Sequence, residues 1–332
     1  MSGNRLRVFL SHGTDTFHGY FGDRALAALR EHADVVRNTT DRDLRDAELA
    51  EAAAGCQAII AFRGSPGTAE TFARSPDLVA FLRCAVDIST IDVPAASSQG
   101  ILVTRATPGF VDSVAELGLG MMLDLARGIS RAGQAYRRGE KQPAPGGQIQ
   151  LSGATLGIVG YGRIAKRLDA IASALGMRVL AHDPYARPET SLDEVLTQSD
   201  FVVCLAISSP ETANIMNAAA FARMRRGALF INLSRGELVD ESALAAALDS
   251  GHLAGAAMDV GRAPDQMPSP VLASRPDVVA TPHIGGLTPQ AAEHQAMDTV
   301  RQVAALAEGK LPDGAVNAAE AHRLKRLGIE PG

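Results

Sequence analysis

Several residue types are scarce in this 332-residue sequence, and their scarcity argues against some classes of protein. It has no tryptophan, and aromatic residues make up only 4% of the chain. The three cysteines, Cys56, Cys84 and Cys204, are far apart and follow neither a metal-binding nor a redox spacing. We therefore expect reduced thiols in the core of a cytoplasmic protein, with no metal site.

Long hydrophobic runs and basic clusters are also missing. The longest apolar-rich run, 114–125, contains Glu116 and Asp124 and is too short to cross a membrane. The N-terminal segment has no pattern typical of a signal peptide. With a net charge of −5 and no block rich in lysine or arginine, the chain is not expected to bind nucleic acid. The length allows two domains with sizeable cores.

What the sequence does contain is a regular alternation of strand-like and helix-like segments. In the first hundred residues the predicted strands are 7–11, 34–37, 58–62 and 82–86, and the predicted helices are 24–32 and 43–53. After residue 150 the predicted strands are 156–159, 179–182, 201–207, 228–233, 254–260 and 278–280. Such alternation predicts parallel sheets with helices on both faces.

A long helix and a polar arm are predicted between these two regions. Ser113 and Glu116 form a capping-box pattern at the start of the helix. The apolar face of this helix includes Leu117, Met121, Leu125 and Ile129. The arm, residues 137–150, is polar and rich in glycine and proline. We expect it to be a flexible loop or a strap against a second subunit, and we expect the protein to form a homodimer.

The most informative segment, 156–183, reads LGIVGYGRIAKRLDAIASALGMRVLAHD. Its order is strand, glycine turn, helix and a second strand closed by Asp183. Gly160 permits the tight turn, Gly162 allows close approach of a pyrophosphate, and Ala165 lets the helix pack close to the strand. The N–H groups at the helix start attract phosphate. Asp183 can accept hydrogen bonds from the ribose hydroxyls of NAD and would repel the 2′-phosphate of NADP. The segment therefore predicts an NAD site. The alternative is a structural turn that binds no ligand.

Four polar residues lie at the carboxyl ends of predicted strands: Asp183, Arg235, Asp259 and His283. Ligands of open α/β sheets bind outside the carboxyl ends of the strands. A guanidinium offers two parallel donors that suit a carboxylate next to a carbonyl, and a histidine can give or take a proton. Together with a nicotinamide hydride, these groups suffice to interconvert a 2-oxo acid and a 2-hydroxy acid.

Several segments resemble the signature sequences of the D-isomer-specific 2-hydroxyacid dehydrogenases. They are the glycine turn, 113–117, 210–212, INLSRGELVD at 231–240, TPHIGG at 281–286 and the pair Val316-Asn317. The resemblance runs from about residue 55 to residue 317. It implies a Rossmann-type doubly wound parallel-sheet domain, 104–301, inserted in a smaller flavodoxin-like α/β substrate domain, 1–103 plus 302–332. We expect no C-terminal regulatory domain of the kind found in the longer phosphoglycerate dehydrogenases.

The resemblance also implies roles for individual residues. Arg235 binds the substrate carboxylate and carbonyl, His283 is the catalytic acid/base, and Asp259 contacts the nicotinamide side. The expected cofactor-binding residues are Gly160, Gly162, Arg163, Ile164, Asp183, Thr212, Leu233, Arg235, Asp259, His283 and Gly286. The expected substrate-binding residues are Arg63, Asp87 and Arg235.

Two positions depart from the family pattern. Pro264 stands where a glutamate usually pairs with the histidine, so Asp265 is the candidate catalytic partner, Gln266 could bond the ring instead, or neither reaches it. Asp87 stands where the family usually has glycine. If its carboxylate points inward, it should disfavour dianionic substrates such as phosphoglycerate; it could equally point to solvent or to its own loop.

The sequence thus predicts an NAD-dependent oxidoreductase that interconverts a small 2-oxo acid and its D-2-hydroxy acid. Two alternatives remain open at this point. One is a formate- or phosphite-type dehydrogenase on the same scaffold. The other is a non-catalytic, NAD-sensing protein similar to the corepressors of this family.

Overall fold

The computed structural model describes residues 5–140, 148–187 and 190–330 and consists of two compact units. The first unit joins residues 1–109 to 288–332, and the second unit covers 110–287. The sequence-based bounds fell at 103/104 and 301/302. The late helix Pro289–Ala307 accounts for most of the difference, because its buried residues Ala296, Val300, Val303 and Leu306 all belong to the core of the first unit.

The first unit contains a five-stranded parallel sheet. Its strands are β1 (Leu6–Leu10), β2 (Ala33–Arg37), β3 (Ala58–Ala61), β4 (Ala80–Arg83) and β5 (Leu102–Arg105). Its first helices are α1 (Thr14–Tyr20), α2 (Gly22–His32), α3 (Asp46–Ala52), α4 (Ala69–Ala73) and α5 (Val93–Ser98). The strand order is β2-β1-β3-β4-β5, which is the flavodoxin-like order with its switch point between β1 and β3.

Alternation along the strands divides the first unit into two cores. In β1, Val8 and Leu10 lie in one core, whereas Phe9 points to the opposite face and lies in the other. The helix Pro289–Ala307 contributes Val300 to the first core, and α3 contributes Leu49 to the second. Helices therefore cover both faces of the sheet.

The second unit contains a six-stranded parallel sheet. Its strands are β6 (Thr155–Val159), β7 (Arg178–His182), β8 (Phe201–Cys204), β9 (Leu229–Asn232), β10 (Gly255–Met258) and β11 (Val278–Ala280), in the order β11-β10-β9-β8-β6-β7. Its helices are α6 (Val111–Arg127), α7 (Ile129–Arg137), α8 (Arg163–Ala174), α9 (Leu192–Gln198), α10 (Ala218–Arg223), α11 (Glu241–Asp249) and α12 (Pro270–Ala273), after which α13 (Pro289–Ala307) returns to the first unit. Leu156 of β6 faces the core under α6 and α8, and Val159 faces the core under α9 and α11. The predicted fold class is confirmed.

The long helix differs from its prediction at both ends. It begins at Val111, so Ser113 lies inside the first turn and is not the cap. It ends at Arg127 because Gly128 adopts a left-handed conformation, with φ of +64°, that turns the chain out of the helix. Ile129 therefore starts α7 and is 57% exposed instead of extending the apolar face of α6.

Two strands differ in their bounds from the sequence-based prediction. Strand β4 begins and ends earlier than the predicted 82–86, and β8 stops at Cys204, three residues before the predicted end. The three cysteines are buried free thiols, as expected.

The middle of the predicted arm, residues 141–147, lies outside the described residues. Within the ranges that the structure describes, no helix combines the length and hydrophobicity needed to cross a membrane.

Candidate active site

The glycine turn between β6 and α8 has the predicted geometry. Gly160 has a φ of +90°, and a Cβ atom there would lie 2.4 Å from the Cα of Ala206. Gly162 is the N-cap of α8, and a Cβ added to it would meet nothing within 4 Å. The fold itself therefore requires glycine at 160, whereas at 162 it leaves open space in front of the helix start. This space suits a pyrophosphate at the N–H groups of Arg163 and Ile164.

Asp183 lies directly after β7 and faces the glycine turn. Its Oδ2 accepts the N–H of Tyr161 at 2.8 Å, and its Oδ1 accepts the N–H groups of Tyr185 and Ala186 at 2.9 and 3.1 Å. Partial burial opposes ionisation, but these three hydrogen bonds lower the pKa of Asp183 below its usual value. A carboxylate has about four acceptor positions, so one remains for a ribose hydroxyl. Accepting both hydroxyls would require one loop hydrogen bond to give way.

Three other predicted cofactor residues have clear structural roles. The Thr212 hydroxyl donates to the carbonyl of Ile207 at 2.6 Å and accepts the N–H of Ser209 at 2.9 Å, so it shapes the loop after β8. The Leu233 side chain is buried in the core under α6, and its N–H donates to the Cys204 carbonyl at 3.3 Å, so its own carbonyl is the group that could meet a ligand. Gly286 lies next to Phe110 in the loop that follows His283.

Arg235 follows β9 on a rigidly held backbone. Its carbonyl accepts the side-chain amide of Asn232 at 3.0 Å. The next residue, Gly236, packs so closely on Gly261 that a Cβ would lie 2.2 Å from the Gly261 carbonyl carbon. The guanidinium itself is exposed, and its Nη1 donates to the Ser234 carbonyl at 2.7 Å. The chain thus presents an exposed cation on a fixed support.

The loop that carries His283 is held by Asp259. This carboxylate is 3% exposed and accepts the Thr281 hydroxyl at 2.6 Å and the N–H groups of Ile284 and Gly285, both at 2.8 Å. The His283 N–H donates to the Asp259 carbonyl at 2.9 Å, and His283 adopts a left-handed φ of +54°. Such a conformation is costly for a non-glycine residue and persists only where surrounding bonds hold it. Asp259 is therefore engaged with the histidine loop in this structure.

The His283 ring has a partner that the sequence did not reveal. Its Nδ1 lies 3.0 Å from the main-chain carbonyl oxygen of Asp265, so the contact is not with the carboxylate that was anticipated. Because a carbonyl only accepts, we assign the hydrogen to Nδ1, which leaves Nε2 for proton transfer. Asp265 and Gln266 both have left-handed φ angles, +56° and +58°, and this double bend turns the carbonyl toward the ring.

The first unit places its candidate substrate residues after β3 and β4. Arg63 is exposed, and the Asp87 carboxylate accepts the N–H and the hydroxyl of Ser89, both at 2.9 Å. Partial burial opposes ionisation of Asp87, but the two Ser89 hydrogen bonds and the charges of Arg63 and Arg83 lower its pKa. Asp87 therefore bonds its own loop, one of the orientations left open by the sequence.

Arg83 was not singled out from the sequence. It is fully buried, and its guanidinium donates to the Phe62 carbonyl and, at 2.9 Å, to the Thr90 hydroxyl. Burial lowers its pKa to about 10. It ties together the loops that carry Arg63 and Asp87. The available signal was a lone charge at the end of the apolar strand AFLR.

The fold and this constellation define a dinucleotide-binding α/β protein. The family model described as D-isomer specific 2-hydroxyacid dehydrogenase, NAD binding domain, matches residues 119–285. The chain belongs to the D-isomer-specific 2-hydroxyacid dehydrogenase family, and its cofactor is NAD. The family resemblance and the expected cofactor are thereby confirmed.

Individual relatives agree with this assignment. D-3-phosphoglycerate dehydrogenase 2, chloroplastic, of Arabidopsis thaliana is 32% identical over 307 residues, which are 90% of this chain and 49% of that protein. The crystal structure of the TT0316 protein from Thermus thermophilus is 32% identical, with a TM-score of 0.79 over 94% of this chain and 100% of the other. The NAD complex of a D-isomer specific 2-hydroxyacid dehydrogenase from Lactobacillus delbrueckii ssp. bulgaricus shares the fold at 24% identity, with a TM-score of 0.79 over 94% of this chain and 100% of that one. The chain spans about half the length of the curated relatives it matches.

Asp183 leads to a prediction about cofactor choice. NADH should bind at least about tenfold more tightly than NADPH, since a 2′-phosphate would face a carboxylate, and tenfold corresponds to about 1.4 kcal/mol. The two dissociation constants can be measured by nicotinamide fluorescence. Asp183→Asn should reduce the ratio, whereas Asp193→Asn, an exposed carboxylate of the same unit, should not. Equal affinities in the unmodified protein would contradict the prediction.

Proposed function

We propose that this protein is an NAD-dependent oxidoreductase that interconverts a small 2-oxo acid and its D-2-hydroxy acid. The observation that carries the proposal is that one sheet presents both an exposed guanidinium, Arg235, and an imidazole, His283, whose Nδ1 already has an acceptor. Both follow strands of the sheet that carries the glycine turn. The left-handed backbone and the hydrogen-bonded ring of His283 support a role in proton transfer over NAD sensing alone.

Each residue has a distinct task in the proposed reaction. When bound, the cofactor would supply the redox chemistry: NAD would take the hydride from C2 of the hydroxy acid, and NADH would give it to C2 of the oxo acid. Arg235 uses its parallel N–H donors to hold the substrate carboxylate and to polarise the C2 oxygen. His283 gives the proton from Nε2 to that oxygen during reduction and removes it during oxidation. The Nδ1–H bond to the Asp265 carbonyl keeps the ring oriented in both protonation states.

The first unit limits the proposed substrate class. Arg63 is proposed to contribute positive charge to substrate binding. The Asp87 carboxylate bonds Ser89 of its own loop, but it stays exposed and is proposed to act on the substrate through its charge alone. A second anionic group on the substrate would approach a like charge. We therefore propose a monoanionic 2-oxo acid, or one whose side chain carries a hydroxyl or an amine, in place of phosphoglycerate.

A substrate screen tests this function. Purified protein should oxidise NADH with one or more small monoanionic 2-oxo acids, and more slowly with dianionic ones of similar size. Reduction of NAD by formate or phosphite alone would instead identify the related dehydrogenase class. Tight NADH binding without turnover on any of these compounds would favour the sensing protein.

The partner of His283 leads to a prediction about pH dependence. Asp265→Asn should leave the pH midpoint of kcat/KM for reduction within about 0.3 units, because the contact uses the main-chain carbonyl, which the substitution retains. Pro264→Glu should move the midpoint upward by about one unit, because a nearby carboxylate favours the protonated ring. A downward shift of about a unit in Asp265→Asn would show that the carboxylate is the functional partner.

We further propose that the protein is a cytoplasmic homodimer. Helix α7 has no buried residue, and it exposes Ile129 by 57% and Tyr136 by 83%. An amphipathic helix with an uncovered apolar face is typical of an interface. The buried free thiols suit a reducing compartment.

Light scattering tests the assembly. The unmodified protein should have the mass of a dimer at micromolar concentration. Tyr136→Asp should weaken the dimer at least about tenfold, because it places a charge on the apolar face of α7. Tyr185→Asp, at a tyrosine that is 96% exposed elsewhere in the same unit, is the matched control and should remain dimeric. A monomer in the unmodified protein would refute the proposal.

A further inference from the structure

The tyrosine between the two turn glycines makes contacts that the glycine motif does not require. Tyr161 is 9% exposed, and its main-chain N–H donates to Oδ2 of Asp183 at 2.8 Å. Its hydroxyl donates to the carboxylate of Asp169, on α8. Arg187 donates from Nη2 to the same hydroxyl at 3.1 Å, and its guanidinium carbon lies 4.5 Å from the centre of the tyrosine ring. One side chain thus links the phosphate turn, its helix and the segment after β7.

The segment after β7 is itself a closed turn. The N–H of Arg187 donates to the Asp183 carbonyl at 2.8 Å, and Oδ1 of Asp183 accepts the N–H groups of Tyr185 and Ala186. Both ends of this turn therefore contact Tyr161. The Asp183 carboxylate accepts the main-chain N–H of Tyr161, and the Arg187 side chain contacts the tyrosine side chain. The positive Arg187 and the negative Asp169 both bond the tyrosine hydroxyl, which favours this arrangement over a free loop.

Resting on the proposed role of Asp183 in binding ribose, we propose that Tyr161, Asp169 and Arg187 form a clamp that positions the Asp183 carboxylate. A carboxylate on a loose turn could move away from a 2′-phosphate. The clamp opposes this movement, because displacing the turn would break the ring stacking and the Arg187 hydrogen bond. Its members are positioning residues that determine the selectivity for NAD over NADP.

Binding measurements with cofactor fragments test the clamp without any substrate. Tyr161→Phe keeps the ring and removes the hydroxyl, and Arg187→Ala removes the cation. Each should raise the Kd for NADH and for ADP-ribose by about fivefold and lower the preference for NADH over NADPH by a similar factor. Binding of reduced nicotinamide mononucleotide, which lacks the adenosine ribose, should stay unchanged.

Two further variants serve as a graded test of the cation and as a control in the same turn. Arg187→Lys, which keeps the charge without the planar fork, should fall between the unmodified protein and Arg187→Ala. Tyr185→Phe, in the same turn but with an exposed ring, should bind all four ligands normally. Melting temperatures identify any variant that has lost its fold, and Tyr161→Phe is nearly isosteric.

The Asp183→Ala background distinguishes a clamp from a direct contact between Arg187 and the cofactor. If the clamp acts through Asp183, adding Arg187→Ala to the Asp183→Ala variant should not weaken NADH binding any further. An undiminished effect would mean that Arg187 contacts the cofactor directly, and it would overturn the clamp. Normal binding by Tyr161→Phe and Arg187→Ala, with weakened binding by Asp183→Ala, would overturn the clamp alone. Normal binding by Asp183→Ala would overturn the ribose role of Asp183 and the clamp with it.

Discussion

Replacement of His283 by alanine is expected to lower kcat about 10³-fold in both directions, within the usual range for loss of a general acid or base. NADH should still bind, because the glycine turn and Asp183 lie on other elements. Turnover with the best 2-oxo acid from the substrate screen and NADH fluorescence measure the two properties separately. Added imidazole should restore part of the lost rate, since it can occupy the space of the missing ring.

The control for this experiment is His18→Ala, at an exposed histidine of α1 in the first unit. It should keep full activity. If His283→Ala retained more than about a tenth of the kcat, which corresponds to a loss of less than about 1.4 kcal/mol of transition-state stabilisation, His283 would not be the acid/base. The same outcome would remove the main argument for an enzyme over a sensing protein.

Replacement of Arg235 by lysine is expected to lower kcat/KM for 2-oxo acids by about 10²-fold or more. Lysine keeps the charge but loses the planar fork that can hold a carboxylate with two parallel hydrogen bonds. The backbone support at Asn232 and Gly236 does not depend on the side chain, so the fold should persist. Steady-state kinetics with varied 2-oxo acid, at saturating NADH, gives the value.

The matched control is Arg226→Lys, at an exposed arginine of the same unit, and it should leave kcat/KM unchanged. A change confined to KM would mean that Arg235 binds the substrate and its transition state equally. A kcat/KM within about threefold of the unmodified value, a cost of about 0.6 kcal/mol, would show that the fork is not used.

Much of the fold could be predicted from the sequence because strand and helix periodicity are local properties. Val8 and Leu10 lie on one face of the sheet, and Phe9, between them in the sequence, lies on the opposite face, as the period of two in a strand predicts. The order of the strands within each sheet could not be predicted in the same way. That β7 lies at the edge beyond β6, and that β8 follows on the other side, results from crossover connections that carry no local signal.

The sequence by itself determined the nucleotide half of the candidate site. Gly160 and Asp183 are placed by a turn and a strand end, whose geometry depends on a few consecutive residues. Only the tertiary structure showed that the Asp265 carbonyl meets His283, that Asp259 holds the histidine loop, and that Arg83 is buried. Those contacts join segments far apart in the chain. The first depends on two successive left-handed residues, Asp265 and Gln266, and neither is a glycine that would have indicated such a conformation in the sequence. A backbone bend of that kind is imposed by the packing around it, and for that reason the sequence pattern did not reveal it.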